Sequence, residues 1–444
     1  MSSGAAGSKP TGSSGCLARP SSCRWWSAKI AHSTQHTAHR PRPSASTRAP
    51  SATPTSASPL SVLIAALDEE LAHLQDRELL RTLTTLEAVH GVTATIQGRR
   101  VVLWCTNDYL GLSQHPRLVR ASADAARRWG VGARASRLLA GSTALHHQLE
   151  DRLASFFHAP SAVTFPSGYL ANLGVLGCLL SPDDLVLVDR LAHASLLDAC
   201  RLPRARVRVF RHNDVEHVAG LLRRYAKARR RLVVTEGLFS MEGDRAPLKD
   251  LADVAQRYGA LLYVDDAHGA FATGHTGRGT PEVEGVAHGS MIYMATLGKA
   301  LGCQGGFVVG HSKLIRLVHN RARTFIYETA QAPPIVAAAV EGLRVVQEEP
   351  ALRESLAGNV ERLHQRLGPD LGRSPSHIVP IMLGGTQRAR RLAAGLFGKG
   401  IFAPAIRPPT VPAGTARLRL SVSTLHTAGQ IEQLVRALSN SMSA

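Results

Sequence analysis

Several classes of protein are excluded by what this sequence lacks. The chain of 444 residues has no apolar run near the ~20 residues needed to span a bilayer. It also has no charged-then-apolar start typical of a secretory signal. Its six cysteines form no C-x-x-C pair and no metal-ligand spacing. We therefore expect no membrane span, no metal site, and reduced thiols in a cytoplasmic protein.

Acidic residues are missing from the first part of the chain. Residues 1–67 contain no Asp or Glu but seven Lys or Arg, and the whole chain has a formal charge of +19. Up to about residue 58 the sequence is rich in Ser, Thr, Pro and Ala without periodic apolar residues, so it cannot bury enough surface to offset the entropy of ordering. We expect residues 1–58 to be a disordered basic extension. An organelle transit peptide, a long unstructured leader and an over-extended reading frame fit the same composition.

Aromatic residues are also scarce, at 5% of the chain, and none lies within the other basic runs. Runs such as Arg229 to Arg231 and Arg388 to Arg391 interrupt amphipathic stretches without helix-turn-helix or zinc-finger spacing. A solvated basic face is therefore favoured over a nucleic-acid site. Nucleic-acid binding through the basic first part of the chain is the alternative.

The middle of the chain consists of short apolar runs that alternate with helical stretches. The runs predicted to be buried strands are Ala162–Phe165, Leu185–Val188, Leu232–Thr235, Leu261–Val264 and Met291–Ala295. Amphipathic segments such as Leu145–Phe157 and Leu248–Tyr258 are predicted to be the helices between them. This alternation is typical of an α/β fold with a mainly parallel sheet.

The flanking regions give the domain organisation. Ser58 and Pro59 form a good helix start, followed by leucines with helical spacing up to Leu74. After about Ala337 the pattern has more helix and a few strands, and it ends on a strand at Leu418–Val422 and a helix at Ala428–Leu438. We predict an N-terminal helical segment at 59–100, a large α/β domain at 101–336 and a smaller C-terminal α+β domain at 337–444.

Residues suited to chemistry follow the predicted strands. In an open α/β sheet, ligands bind at the carboxyl ends of the strands. Lys299 lies there between Gly298 and Gly302, and it suits a Schiff-base nucleophile because glycines allow close approach of a planar cofactor. Asp265, at a neighbouring strand end, suits an acid that keeps a pyridine nitrogen protonated. This combination points to pyridoxal 5'-phosphate (PLP).

Further polar residues occupy other strand ends. Ser167, Gly168 and Tyr169 follow a strand and open a helix, which places backbone N–H groups where a phosphate binds. His193 and Ser240 also lie just beyond predicted strands. Any one of these signals is weak, since a lone Lys or His is more often structural. Their occurrence at successive strand ends favours a catalytic site.

Three motifs carry a resemblance to the α-oxoamine synthases, PLP enzymes of the aspartate-aminotransferase fold type. They are Asn107–Leu112, Val264–Gly269 and Thr296–Gly302, and the resemblance extends from about Leu71 to the end of the chain. The segments Arg407–Arg419 and His212–Val215 resemble the 8-amino-7-oxononanoate synthase branch of that family. The resemblance implies fold type I, with a mainly parallel large-domain sheet and a smaller C-terminal domain.

The resemblance also implies roles for individual residues. Lys299 would carry the cofactor covalently, Asp265 would pair with the pyridine nitrogen, and His193 would stack on the ring and contact substrate. The remaining cofactor contacts would come from His268 and Ser240 at the phenolic oxygen and from Gly168, Tyr169 and Thr296. Asn107 and Arg419 would hold the amino-acid carboxylate, with Arg81 and Thr410 on the acyl-substrate side.

Two features depart from the family pattern. Residues 1–58 have no counterpart in it, and Ala270-Phe271 replaces a smaller, glycine-containing step. Phe271 would either narrow the approach to the cofactor or pack inward, and we favour packing. Asp266, beside Asp265, is expected to have a structural hydrogen-bonding role.

The implied reaction is the decarboxylative condensation of L-alanine with pimeloyl-CoA or pimeloyl-[acyl-carrier protein]. Rivals in the same class are glycine C-acetyltransferase, 5-aminolevulinate synthase and serine palmitoyltransferase, and a non-catalytic PLP-binding protein is a further alternative. The resemblance also implies a homodimer with active sites at the subunit interface, where Thr329 of one subunit lies near the other's phosphate.

Overall fold

The computed structural model describes residues 58–368 and 374–442. The extension predicted for residues 1–58 therefore lies outside the described residues, except for Ser58. The chain divides into two compact units, one up to Gln75 and one from Asp76 onward. Apart from Ser58, the described residues of the first unit all belong to helix α1, Pro59–Asp76, and none of the side chains of α1 is buried. The Ser58 hydroxyl accepts from the Ser61 N–H at 3.2 Å, which confirms the predicted helix start.

The second unit alternates helices and strands. Its strands are β1 Ala88–His90, β2 Thr93–Ile96, β3 Arg99–Leu103, β4 Ser161–Phe165, β5 Leu185–Asp189, β6 Arg206–Phe210, β7 Arg231–Glu236, β8 Leu261–Asp265, β9 Ile292–Thr296, β10 Gly306–Gly310, β11 Ile378–Gly384, β12 Ile401–Phe402, β13 Ala405–Ile406 and β14 Ala416–Ser421. Its helices are α2 Pro116–Trp129, α3 Ala144–Phe156, α4 Gly168–Leu179, α5 Ala194–Arg201, α6 Val215–Arg224, α7 Leu248–Arg257, α8 Thr280–Val283, α9 Ser312–Arg321, α10 Arg323–Ile326, α11 Pro333–Glu348, α12 Ala351–Leu367, α13 Thr386–Gly398 and α14 Ala428–Met442.

The central sheet has seven strands in the order β4-β10-β9-β8-β7-β5-β6. All neighbours from β9 to β6 are parallel, and β10 is antiparallel to both β9 and β4. The prediction of a mainly parallel α/β sheet is confirmed. The five predicted strands all occur, each within a residue or two of its predicted bounds.

Helices cover both faces of this sheet because alternate strand residues point to opposite sides. One buried cluster contains Val186, Val234 and Met294 with residues of α4, α5 and α9. The opposite cluster contains neighbouring strand residues such as Leu187 and Ala295 together with α3, α7 and α11. Burial on both faces explains why the central strands are continuous apolar runs.

Two smaller sheets flank the central one. The first has the order β1-β2-β3-β12, and the second has the order β11-β14-β13. The helical assignment of 59–100 is wrong for residues 88–100, which form strands. Alternating burial along β2, with Gly91 and Gly98 at turns of positive φ, favours a hairpin over a helix.

The predicted domain boundary at 336/337 falls inside α11, and β3 pairs with β12 of the C-terminal part. The division into large and small domains stays a prediction. No helix in the two described ranges combines the length and the apolar character needed to cross a membrane.

Phe271 packs inward, as we expected. Its side chain is fully buried, and its ring centroid lies 5.6 Å from that of Phe157 and 5.9 Å from that of Phe307. The backbone of Phe271 has a φ of +68°, in the left-handed region that favours glycine. Aromatic packing therefore holds a conformation that costs roughly 1–2 kcal/mol for a residue with a side chain.

His212 contacts two carboxylates, one at the end of β5 and one in the loop after β7. Its Nδ1 lies 3.0 Å from Oδ1 of Asp189, the last residue of β5, and its Nε2 lies 2.9 Å from Oδ2 of Asp244. Burial favours the neutral ring, but the two carboxylates outweigh it and raise the pKa of His212 to about 9. His212 is therefore a cation at neutral pH that joins two carboxylates.

This arrangement predicts a pH-dependent stability. Because the folded pKa of about 9 lies above the ordinary value of 6.5, the contribution is complete below about pH 6.5 and is lost as the pH rises through 9. The shift corresponds to at most about 3 kcal/mol. Urea unfolding between pH 6 and 10 should show this loss for the wild type and a flatter profile for His212→Gln. Equal pH slopes for both proteins would contradict the assignment.

Candidate active site

The site forms at the carboxyl ends of β7, β8 and β9. The parallel register places Glu236 beside Asp265, and Asp265 beside Met294. Lys299 follows β9 and projects into the same region, with its Nζ 2.7 Å from Nε2 of His268. Desolvation lowers the pKa of Lys299 to about 8, although Asp265 and Glu236 oppose the shift. The neutral fraction of the amine near neutral pH is therefore much larger than for an ordinary lysine, as a nucleophile or base requires.

The Asp265 carboxylate is held by donors on both oxygens. Its Oδ2 accepts from Nδ2 of Asn172 at 2.8 Å, and its Oδ1 accepts from the N–H of Ala267 at 3.0 Å. Asp265 is 5% exposed. These bonds fix the carboxylate at the strand end, in the position expected of a partner for a pyridine nitrogen.

A buried polar cluster surrounds Arg419. Its Nη1 donates to Oδ1 of Asn107 at 3.2 Å, its Nη2 donates to Oη of Tyr109 at 3.1 Å, and its Nε donates to the Ser240 carbonyl at 2.5 Å. Tyr109 Oη also lies 2.6 Å from Nδ1 of His268. The structure thus brings together Asn107 and Arg419, as the resemblance implies, and adds Tyr109.

The segments that contain His193 and Ser240 meet at one buried carboxylate. Glu236 accepts from the His193 N–H at 2.7 Å through Oε1 and from the Ser240 N–H at 3.2 Å through Oε2. Burial and the adjacent Asp265 raise the pKa of Glu236 well above its usual value. Sequence analysis missed Tyr109 and Glu236. Tyr109 lies inside the Asn107–Leu112 motif, and Glu236 ends a predicted strand region, so both signals were present.

Of the residues predicted to seat the cofactor here, Gly168 and Thr296 lie together, whereas the Tyr169 side chain is exposed. Gly168 begins α4, with Ser167 as its N-cap and Thr296 alongside. The Thr296 hydroxyl donates to the Gly305 carbonyl at 2.7 Å. Tyr169 is 42% exposed, and its hydroxyl bonds to Asp198. The first N–H groups of a helix have no intrahelical acceptor, so the start of α4 suits a phosphate.

The acyl-side residues also come together. Arg81 Nη2 donates to Oγ1 of Thr410 at 2.9 Å, although 329 positions separate them. Arg407 donates to the backbone carbonyls of Glu78 and Leu80 and so holds the segment that contains Arg81. The roles assigned to Arg81 and Thr410 stay predictions.

Asp266, next to Asp265, points away from this cluster. It is fully buried and accepts from the N–H and the hydroxyl of Thr280, each at 2.7 Å, and from Oη of Tyr293 at 3.0 Å. Burial raises the pKa of Asp266 to about 7. These contacts anchor the loop that follows β8, which agrees with the structural role we expected.

The residues present fit PLP. Lys299 has the lowered pKa of an amine that condenses with an aldehyde, and Asp265 is a fixed carboxylate within the same strand-end region. The start of α4 supplies N–H groups for a phosphate. An α/β sheet with this set of groups at its carboxyl edge defines a PLP-dependent enzyme of fold type I.

Comparison with known proteins defines the group more closely. The family of class I and II aminotransferases matches residues 99–438. An 8-amino-7-oxononanoate synthase from Anaeromyxobacter dehalogenans is 47% identical over 372 residues, 83% of this chain and 93% of that protein. Another, from Chromobacterium violaceum, is 45% identical over 83% of this chain and 96% of its own. The chain belongs to the aminotransferase class I and II family and, within it, to the 8-amino-7-oxononanoate synthases.

Solved structures show the same fold. Serine palmitoyltransferase from S. paucimobilis, with a PLP-myriocin aldimine, has a TM-score of 0.81 and 33% identity, covering 86% of this chain and 98% of its own. An 8-amino-7-oxononanoate synthase from Francisella tularensis has a TM-score of 0.67 and 28% identity, covering 77% of this chain and 98% of its own.

The two adjacent aspartates give a paired prediction. Asp265→Asn should keep the borohydride-reducible link to PLP yet lower turnover roughly a hundredfold, the size typical of losing one charge-stabilising group. A neutral amide cannot hold the pyridine nitrogen protonated. Asp266→Asn should mainly lower the melting temperature, because its contacts are structural. A larger loss of turnover in Asp266→Asn than in Asp265→Asn would show that the motif is aligned wrongly with the cofactor.

Proposed function

We propose that this chain catalyses the decarboxylative condensation of L-alanine with a pimeloyl thioester, giving 8-amino-7-oxononanoate, CO2 and the free thiol. The observation that supports this most strongly is the 47% identity to an 8-amino-7-oxononanoate synthase over most of both chains. The position of Asp265 at the end of β8 and of Lys299 just after β9 also supports the proposal. Bound PLP supplies the electron sink for the charge that develops at the α-carbon of alanine.

Lys299 is the group that removes and returns the α-proton. A pKa of about 8 leaves part of the Lys299 amine neutral near physiological pH, so it could accept that proton. His268 Nε2, 2.7 Å from Nζ, positions it. Asp265, held by Asn172 and the Ala267 N–H, would pair with the pyridine nitrogen of bound PLP and keep it protonated.

Arg419 is the residue that receives the amino-acid carboxylate. It is 8% exposed, and within the described ranges no Asp or Glu forms an ion pair with it. A buried guanidinium without a carboxylate partner is costly, and a substrate carboxylate would offset that cost. Its bonds to Asn107 and Tyr109 orient the guanidinium for that contact.

The acyl thioester would enter past Arg81 and Thr410. Arg390 lies 3.5 Å from the Glu78 carboxylate, and Arg407 donates to the Glu78 backbone carbonyl. Burial and the charges of Arg390 and Arg81 lower the pKa of Arg407, so three arginines lie close together beside one carboxylate. The excess positive charge suits an anionic donor, either coenzyme A or an acyl-carrier protein.

We also propose that the chain acts as a homodimer. Val131, Leu139 and Tyr327 are 81%, 78% and 71% exposed, and a protein interface would cover such apolar surface. Thr329, in the same stretch as Tyr327, pairs with Ser136 through an isolated backbone bridge. Its contact with the partner's phosphate and the cytoplasmic location stay predictions.

A second candidate is serine palmitoyltransferase. It is favoured by the TM-score of 0.81, against 0.67 for the Francisella synthase. Sequence identity favours the synthase, because it is 47% to the Anaeromyxobacter synthase and 33% to the palmitoyltransferase. The presence of both Lys299 and Asp265 at the strand ends argues against a PLP-binding protein without turnover. Nothing at the site favours nucleic acid.

Product analysis separates these candidates. Purified holoenzyme given alanine, glycine or serine with pimeloyl, acetyl, succinyl and palmitoyl thioesters should form 8-amino-7-oxononanoate and CO2 from alanine and a pimeloyl donor. The preference for alanine should be at least about tenfold, the discrimination that one methyl-sized difference allows. Preferred turnover of serine with palmitoyl-CoA would establish the second candidate. Bound PLP without any product would support the non-catalytic alternative.

A further inference from the structure

Asn172, on α4, lies beside Asp265 and contacts side chains of two other elements, β8 and α5. It occupies the second turn of α4, and it is 1% exposed. Its Nδ2 donates to Oδ2 of Asp265 and to Oγ of Ser195, each at 2.8 Å. Its Oδ1 accepts from Oη of Tyr263 at 2.7 Å. The hydrogen-bonding capacity of the amide NH2 is therefore fully used.

The orientation of this amide is set by its partners. An ionised carboxylate only accepts hydrogen bonds, so the amide NH2 must face Asp265. The oxygen then faces Tyr263, whose hydroxyl remains protonated because burial raises its pKa well above the usual value. The alternative orientation would oppose two acceptors at 2.8 Å.

The second amide hydrogen determines the hydrogen bonding of His193. Ser195 Oγ accepts from Asn172, which leaves its own hydrogen for Nδ1 of His193 at 2.8 Å. The backbone N–H of Ser195 also points at this Nδ1, at 3.3 Å. Two donors converge on one ring nitrogen, so Nδ1 accepts and the ring proton lies on Nε2.

The backbone of His193 is fixed as well. Its N–H donates to Glu236 Oε1 at 2.7 Å, and its ring caps the start of α5. Desolvation lowers the pKa of His193 against the opposing effect of Asp265, in agreement with a neutral ring. The ring therefore has one orientation and one tautomer.

We propose that Asn172 is a positioning residue that joins Asp265 to His193 and, through Ser195, holds His193 as the neutral Nε2–H tautomer. The inference rests on the roles proposed above for Asp265 and His193. Its consequence is that His193 presents a hydrogen-bond donor to the cofactor and substrate, while Nδ1 cannot act as a base. The Asn172 amide thus links Asp265, the proposed partner of the pyridine nitrogen, to His193, which is proposed to stack on the ring.

Two variants separate the branches of this network. Asn172→Asp keeps the size of the side chain but can donate at most one hydrogen, so it cannot serve both Asp265 and Ser195. Ser195→Ala removes the link to His193 and leaves the bond from Asn172 to Asp265. Asn359→Asp is the matched control, because Asn359 is also buried but donates to the backbone carbonyls of Ser423 and His426.

The tautomer is measured by 15N NMR of histidine-labelled holoenzyme, with the His193 signals identified by their loss in His193→Gln. The wild type should show the pattern of a neutral ring with its proton on Nε2, and so should Asn359→Asp. Ser195→Ala and Asn172→Asp should both shift part of the population to other ring states, because only the longer bond from the Ser195 backbone N–H, at 3.3 Å, then holds Nδ1 as an acceptor. A wild-type proton on Nδ1, or a pattern unchanged in Ser195→Ala, would overturn the proposal.

Cofactor affinity gives the second readout. Asn172→Asp should weaken PLP binding roughly tenfold, the equivalent of one charge-assisted hydrogen bond, whereas Ser195→Ala should leave it nearly unchanged. Equal weakening in both variants and in Asn359→Asp would indicate general destabilisation and contradict a positioning role. If wild-type protein bound no PLP, the proposed function would fail first, and the two failures are thus distinguishable.

Discussion

The cost of removing charge from water at the carboxyl edge of the central sheet determines how the active site is built. Glu236 and Asp265 lie side by side there, and a buried carboxyl group is costly unless its oxygens are hydrogen-bonded. Each is satisfied by donors from neighbouring loops: Glu236 by two backbone N–H groups, and Asp265 by Ala267 and Asn172. Lys299 supplies the opposite charge. The carboxylates therefore fix the loops, and the loops carry the residues that face the cofactor.

A second buried charge organises the opposite side of the site. Arg419 comes from β14, in a different sheet, and bonds to Ser240, Asn107 and Tyr109. Its cationic group thereby joins the loop after β7 to the segment that follows β3. The network around Arg419 and the network around Asp265 and Lys299 meet at His268, which contacts both Tyr109 and Lys299.

Much of this arrangement was predictable from local pattern. Lys299 and Asp265 were found because parallel strands end on one edge, and residues just beyond them converge. The antiparallel β10 was not predicted, since Gly306 and Gly310 bracket a run too short to distinguish from a turn. β6 was missed because it is an edge strand with mostly exposed residues. Residues 88–100, which form β1, β2 and the start of β3, were assigned to a helical segment for lack of a long apolar run.

The supporting residues were beyond the reach of the sequence for a different reason. Asn172 bonds residues 23 and 93 positions away, and Arg81 bonds a residue 329 positions away. Local periodicity predicts which face of a helix is buried, but it does not identify the polar partner that meets a buried amide. The inward packing of Phe271 could be predicted because it follows from the size and apolar character of the side chain. Its left-handed backbone conformation could not be predicted from the sequence.

The account depends above all on Lys299 as the residue to which PLP is attached. Borohydride reduction of the holoenzyme, followed by peptide mass mapping, measures this directly. A pyridoxyl group should be found on the peptide that contains Lys299, and Lys299→Ala should bind PLP without a reducible link. A pyridoxyl group on another lysine, or an unchanged link in Lys299→Ala, would contradict the assignment of the site.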